Sequence, residues 1–414
     1  MASSSIQKRC AATALFLMPF SSLNFGISIT IGDVFLVIAA VLNFRRLASL
    51  PGPQIWFLLT APLFILSAAT DIDSTWTSIA QVFYVFAFLL PFGWCAFADL
   101  TSRAMAKILV LSGICTALMA AGQFAGVVPA LPTQQLVEYF DGRLVRVSGL
   151  GNAVNELTQF LAPLIAILPL VRPKGLRTPA LLVILAGVAA AMSKQAVFGV
   201  LGLAWYLAKA GWRQWLVGAF VVLGCVIGFA LFLPETTDRV VGQFAETAEY
   251  RKSYSDDALS ERFDLVGAAV RSLPDCMFLG FGPRGSYEEM WRNGQPFYVH
   301  VYLIGLAMLG GVPAALLMCV GWLNLLWRLR QKADGEWSIF LVVALLGLQC
   351  HPAVLMSWQT LPILIAGALV AQGEAKTVHR SQWSKRMSAS PTIRSSTRRT
   401  PGTSPALIRK SSIL

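Results

Sequence analysis

The chain has 414 residues, 56% of them apolar and 13% charged, with a mean hydropathy of +0.64. That is more apolar surface than a soluble core can bury, which excludes an ordinary globular enzyme and points to an all-α polytopic membrane protein. The formal charge of +12 does not signal a nucleic-acid partner: nine Lys/Arg against one Glu fall in residues 374–414, and most other basic residues lie in short loops, where they mark the cytoplasmic side of a membrane.

Lys8 and Arg9 precede the run AATALFLMPF. No small-x-small cleavage site is obvious after it, so it reads as a retained membrane helix rather than a signal peptide. Further apolar runs centre on 29–43, 54–70, 76–97, 106–128, 157–171, 179–192, 196–208, 215–233, 299–326, 337–350 and 357–371, which predicts about 12 transmembrane helices. Several runs are shorter than the ~20 residues that a bilayer core asks for and are expected to extend into neighbouring polar residues.

Loop charges test this count. Arg45 and Arg46, then Arg103 and Lys107, then Arg172, Lys174 and Arg177, then Lys209 and Arg213, then Arg328, Arg330 and Lys332 occupy alternate loops, on the side of Lys8, Arg9 and the basic tail. Both termini are therefore expected in the cytoplasm of a bacterial cell, with the protein multi-pass in the inner membrane. The loops between carry Asp71 and Asp73, little charge, or the long polar segments 131–156 and 234–298, which are expected to face the periplasm. Residues 1–373 form the expected membrane domain. The tail 374–414, rich in Ser, Thr, Arg and Pro, is expected to be disordered and cytoplasmic, touching anionic lipid or docking a partner protein.

Cys95, Cys115, Cys225 and Cys319 fall inside apolar runs and act there as small hydrophobes. The cysteines have neither metal-type spacing nor the pattern of a disulfide framework. Walker loops, HExxH and GxSxG are absent, and Asp71, Asp73, Asp256 and Asp257 lack the DxD arrangement with sugar-nucleotide context that a metal-dependent cytoplasmic transferase needs, their expected outward position separating them from nucleotide-sugar donors. Ionisable groups inside helices are almost missing, which argues against an ion-coupled transporter.

Chemistry on a lipid-borne substrate needs a place that meets both lipid and water, and the two long polar loops provide it. In the first, FDGRLVRVSGLGNAVNEL sets Arg143 and Arg146 three apart, ahead of Gly149, Gly151 and Asn155 at the mouth of a helix. Such glycines let backbone amides approach an anion, although arginines there also meet lipid phosphates or Asp141. In the second, residues 258–272 read as an amphipathic helix with Ala258, Leu259, Phe263, Val266 and Val270 along its apolar stripe and Arg262 one residue off it. FLGFGPRGSYEEMW follows as a glycine-rich turn bearing Arg284, where Pro283 and Gly285 are expected to prevent regular structure. Glu288, Glu289 and Arg292 read as wetted surface. His300 stands where the loop re-enters the membrane and can accept a proton near neutral pH, or serve as a hydrogen-bonded helix end. His351, opening the last outward turn, is its rival.

Together these segments resemble the family of O-antigen ligases and O-antigen and exopolysaccharide polymerases. The family's Arg, Gly, Asn pattern before a helix is similar to Arg146, Gly149 and Asn155. Its Ser-Arg pair resembles Ser193-Lys194, and its outward loop is matched by Arg262, Pro274, Gly280, Gly282 and His300. The chain departs from the pattern at Val301, where the family often has Asn, and at Lys194, which lacks the bidentate grip of Arg. The resemblance implies metal-independent glycan transfer from an undecaprenyl-diphosphate carrier to an acceptor hydroxyl at the periplasmic face, without a cofactor. Arg143, Arg146, Arg262, Arg284 and Lys194 are implied at the diphosphate, and His300, Arg262 and Arg146 at the reacting centre. A chain-length regulator is an implied partner. Polymerisation of repeat units is the leading expectation, transfer of finished glycan to lipid A core or another acceptor the next, and polysaccharide export the rival from another class.

Overall fold

The computed structural model describes residues 2–23, 29–71, 74–129, 131, 137–139, 144–151, 154–191, 193–209, 241–242, 263–295, 301–332, 335–349 and 357–389. The chain divides into two units, Met1–Glu374 and Ala375–Leu414. The first is helical: α1 (Ala2–Leu17), α2 (Ile31–Leu42), α3 (Gly52–Thr70), α4 (Trp76–Phe97), α5 (Ser102–Phe124), α6 (Val154–Ile167), α7 (Arg177–Ala190), α8 (Gly199–Lys209), α9 (263–272), α10 (Gly282–Arg292), α11 (Tyr302–Gly310), α12 (Val312–Lys332), α13 (Gly335–Gln349) and the start of α14 (Ser357–Ala389). One antiparallel ribbon interrupts this pattern within loop 131–156, pairing β1 (Val137–Tyr139) with β2 (Leu144–Arg146).

Four described helices are long and apolar enough to cross a membrane: α3, α4, α5 and the Val312–Gln331 part of α12. With the shorter apolar helices Ile31–Leu42, Asn155–Leu170 and Gly335–Gln349 they make an all-α, polytopic membrane protein. The expected run 215–233 lies outside the described residues. The single run expected at 299–326 is two helices, because Gly311 adopts φ +89° between α11 and α12 and Pro313 follows it. Only glycine takes that backbone readily, and the carbonyl of Phe278 packs where a Cβ would stand. α14 continues as helix to Ala389, into a tail expected to be disordered from 374. Its stretch after Glu374 contains good helix formers and no proline before Pro391.

Small residues let the helices approach closely, as lipid supplies no hydrophobic drive for helix pairing. Gly310 of α11 lies against the ring of Phe64 on α3. α12 also packs along α3, leaving Leu316, Val320, Leu323 and Trp327 exposed at helical spacing as a lipid-facing stripe. The expected basic loops around Arg46, Arg103 and Arg328 lie at one end with the start of α1. Arg46 pairs with Asp99 at 2.9 Å, Gln7 donates to the same aspartate at 2.9 Å, Trp337 Nε1 donates to Ser102 at 2.8 Å, and Arg328 approaches Glu374 at 3.7 Å. The connections at the opposite end hold the candidate chemistry.

Candidate functional site

At that opposite end the turn after β2 is pinned from three sides. Gly149 adopts φ +63° and its amide donates to Gln123 Oε1 of α5 at 3.0 Å, while Ser22 Oγ donates to the Leu150 carbonyl at 2.8 Å. Ser21 Oγ donates to Glu156 Oε2 of α6 at 2.6 Å. A side chain at Gly149 would meet the Thr116 carbonyl, so the turn demands glycine for space as well as for φ. The turn leads into α6, where Asn155 Oδ1 accepts from Ser193 Oγ at 3.0 Å. Two sequence segments that resemble family motifs, thirty-eight residues apart, therefore meet through a side-chain hydrogen bond. Ser193 also accepts from the Gln195 amide at 3.3 Å, capping the short helix Lys194–Phe198.

The second loop is anchored by Asp71, at the end of α3. Its Oδ2 accepts from the amides of Arg284 at 2.7 Å and Gly285 at 3.1 Å, and from Ser74 Oγ at 2.7 Å. The expected irregular turn is in fact the first turn of α10: Pro283 occupies an early helical position, where its missing N–H costs nothing, and the Asp71 carboxylate satisfies two amides a helix start leaves open. Gly282 takes φ +77° against the Asp71 side chain. Arg284 Nε donates to Glu288 at 2.9 Å on an exposed face. Glu289, expected as mere wetted surface, accepts from Ser272 Oγ at 3.2 Å and from Asn293 Nδ2 at 3.0 Å, tying α10 to the end of α9.

α9 is present over 263–272, but its stripe differs from the expected one. Leu265, Ala268 and Ala269 are buried with Met290 and Met308, whereas Phe263 and Val270 are exposed. The buried face is centred roughly 140° around the helix from the described part of the stripe that hydrophobicity alone suggests, of which Val266 is partly buried against the same cluster. Cys276, in the following turn, is buried, and burial pushes its thiol up to about 11, so it stays protonated at neutral pH and is no nucleophile.

Two buried carboxylates are among the few ionisable groups inside the described helices. Asp33, on the first turn of α2, accepts from the Thr30 amide at 2.6 Å, Thr30 Oγ1 at 2.9 Å, Tyr84 OH at 2.9 Å and Ser357 Oγ at 2.7 Å. It joins α2, the π-helical segment of α4 and the start of α14. Glu156 is the other. Thr30 followed three residues on by Asp33 is a capping-box signal readable in sequence; nothing in sequence pairs Ser21 with Glu156.

Of the expected site residues, Arg284 is described in full. Arg146 ends β2 and Lys194 opens the helix after Ser193, each described in its backbone. Arg143, Arg262, His300 and the rival His351 lie outside the described residues.

A family model described as O-antigen ligase matches residues 179–319. The matched interval runs from α7 into α12 and holds Ser193, Lys194, Arg262, Arg284 and His300, while Arg143 and Arg146 precede it. That part of the chain is similar to the O-antigen ligase family. No curated protein matches the chain.

Proposed function

We propose that the protein is a metal-independent, lipid-linked glycosyltransferase of the bacterial inner membrane. In this reading it crosses the bilayer about twelve times with both termini in the cytoplasm, residues 1–373 form the membrane domain and 374–414 the basic tail. It polymerises undecaprenyl-diphosphate-linked repeat units of an exopolysaccharide or O-antigen at the periplasmic face. The observation that carries the reading is the family match across 179–319; the hydrogen bond from Ser193 to Asn155 supports it by joining that interval to the Arg146–Gly149–Asn155 segment.

The acceptor hydroxyl attacks the anomeric carbon of the carrier-linked glycan. As the new glycosidic C–O bond forms, the bond to the diphosphate oxygen breaks, and the carrier diphosphate leaves with the electron pair. His300 takes the hydroxyl proton. Arg146 and Arg262, with Arg143, Arg284 and Lys194, neutralise the charge growing on the leaving diphosphate. The family description favours a second reading, transfer of finished glycan to lipid A core or another acceptor. A mutant that loses long chains but keeps single repeats supports the polymerase; one that keeps long chains on the carrier supports the ligase. A chain-length regulator is the partner consistent with polymerisation.

Purified protein mixed with carrier-linked repeat units in detergent tests catalysis against export, since detergent provides no compartments. Longer products are expected, and their absence from well-folded protein would overturn the reading. His300→Ala is expected to lower product formation about a hundredfold or more at unchanged abundance in the membrane, and unaltered chain lengths would remove His300 from the mechanism.

A further inference from the structure

We propose that residues 263–292 form a platform set into the membrane, whose outer apolar face, made by Phe263, Val270, Met277 and Phe278, is immersed in the leaflet at the ends of α3 and α12. This inference concerns a lipid surface and stands independently of the glycosyl-transfer reading.

α9 carries two apolar sides. One, with Leu265, Ala268 and Ala269, is buried against Met290 and Met308. On the other, Phe263 and Val270 are two helical turns apart and 72% and 48% exposed, and the next turn adds Met277 and Phe278 at 55% and 75%. A soluble loop seldom leaves four large apolar side chains of one short segment uncovered. Asp264 and Arg271, both exposed, border this side, as charged residues border the buried face of helices that lie in a membrane interface.

Depth is set by hydrogen bonds to the ends of two spans. The amide of Val312, the first residue of α12, donates to the Met277 carbonyl at 3.1 Å. Asp71, directly after the last residue of α3, holds the amides of Arg284 and Gly285. The Phe281 amide donates to the Met308 carbonyl at 2.6 Å, and Ser67 Oγ of α3 donates to the Leu309 carbonyl at 2.6 Å. Residues 277–285 are thereby fixed at the level where α3 and α12 leave the bilayer, with Phe278 between the two attachment points. Exposed Trp76, opening α4, and exposed Trp291 on α10 are the residue type that collects at a headgroup layer. The occupant the geometry supports is therefore lipid, continuous with the lipid around the spans.

The test uses the full-length chain in vesicles of phosphatidylethanolamine and phosphatidylglycerol, with a nitroxide at Phe263→Cys or Phe278→Cys and unsubstituted protein supplying the background from native cysteines. Leu323→Cys on the lipid-facing stripe of α12 and Arg292→Cys on the exposed face of α10 are the references. Labels at 263 and 278 are expected to collide with oxygen more than with a nickel chelate, as at 323, and several times less with nickel than at 292. Nickel access equal to that at 292 would overturn the proposal. So would shielding from both reagents with label-to-label broadening, which would mean a second copy covers the face. Quenching of Trp291 by brominated lipid, read as the difference between the native chain and Trp291→Phe, checks the same depth without altering the apolar face; no quenching would also overturn it.

Discussion

Asp33 accepts four hydrogen bonds from three elements while buried. Truncating it leaves donors on Thr30, Tyr84 and Ser357 without their acceptor, and each orphaned buried group costs about 1–3 kcal/mol. Asp33→Ala is therefore expected to lose several kcal/mol and melt well below the native protein, whereas Asp33→Asn, which keeps an acceptor oxygen, is expected to lose less. Equal melting of both variants and the native chain in one detergent would show that the network adds nothing. Cys276 gives a pH-linked test. A thiol pushed up to about 11 by burial is thiolate about a hundredfold less often at pH 8 than one at its ordinary value of 9.0. Peptide mapping after iodoacetamide treatment should find Cys276 unmodified in the folded protein at pH 8 and alkylated in the denatured one; prompt alkylation in the folded protein would contradict its burial.

At the scale of elements, the connection of α3 to α10 shows how one carboxylate organises a loop. Asp71 stands 213 residues from Arg284 in the chain, yet it does for α10 what an N-cap side chain does locally. Losing a cap costs about 1 kcal/mol, so in Asp71→Ala the amides of Arg284 and Gly285 are expected to exchange hydrogen about fivefold faster, with amides in the middle of α5 unaffected. Uniform acceleration would indicate global destabilisation instead. Gly282→Ala should act in the same direction, because the added methyl meets the Asp71 side chain and the φ of +77° disfavours it. In the sequence, Pro283 and Gly285 read as breakers. α10 is not legible there because Asp71, which completes the helix start, comes from another part of the chain. α9 is legible as a helix, since its spacing is local, but not the side it buries: Phe263 and Leu265 are both apolar, and only the packing of Met290 and Met308 settles that Leu265 faces inward and Phe263 outward.

For the molecule as a whole, the bonds of Asp99 to Arg46 and Gln7, with the contact of Trp337 and Ser102, gather the basic loops around Arg46 and Arg103 at one end with the start of α1. The positive-inside bias then predicts that alkaline phosphatase fused after residue 48 is inactive and that a fusion within the turn before α10 is active; the reverse pattern would invert the proposed orientation.

The sequence by itself determined that this is a helical, multi-span membrane protein with basic loops at one end, because hydrophobic run length and loop charge act locally and need no partner. The two segments that resemble the family, around Asn155 and around Ser193, were also readable there. Only the tertiary structure decided that these two touch, that Asp71 closes α10, that Gly311 divides α11 from α12, and that Asp33 and Glu156 are buried among hydroxyl donors. Each of those outcomes depends on which groups distant in the chain come within hydrogen-bond reach, and buried polar groups must be satisfied by whatever the packing brings.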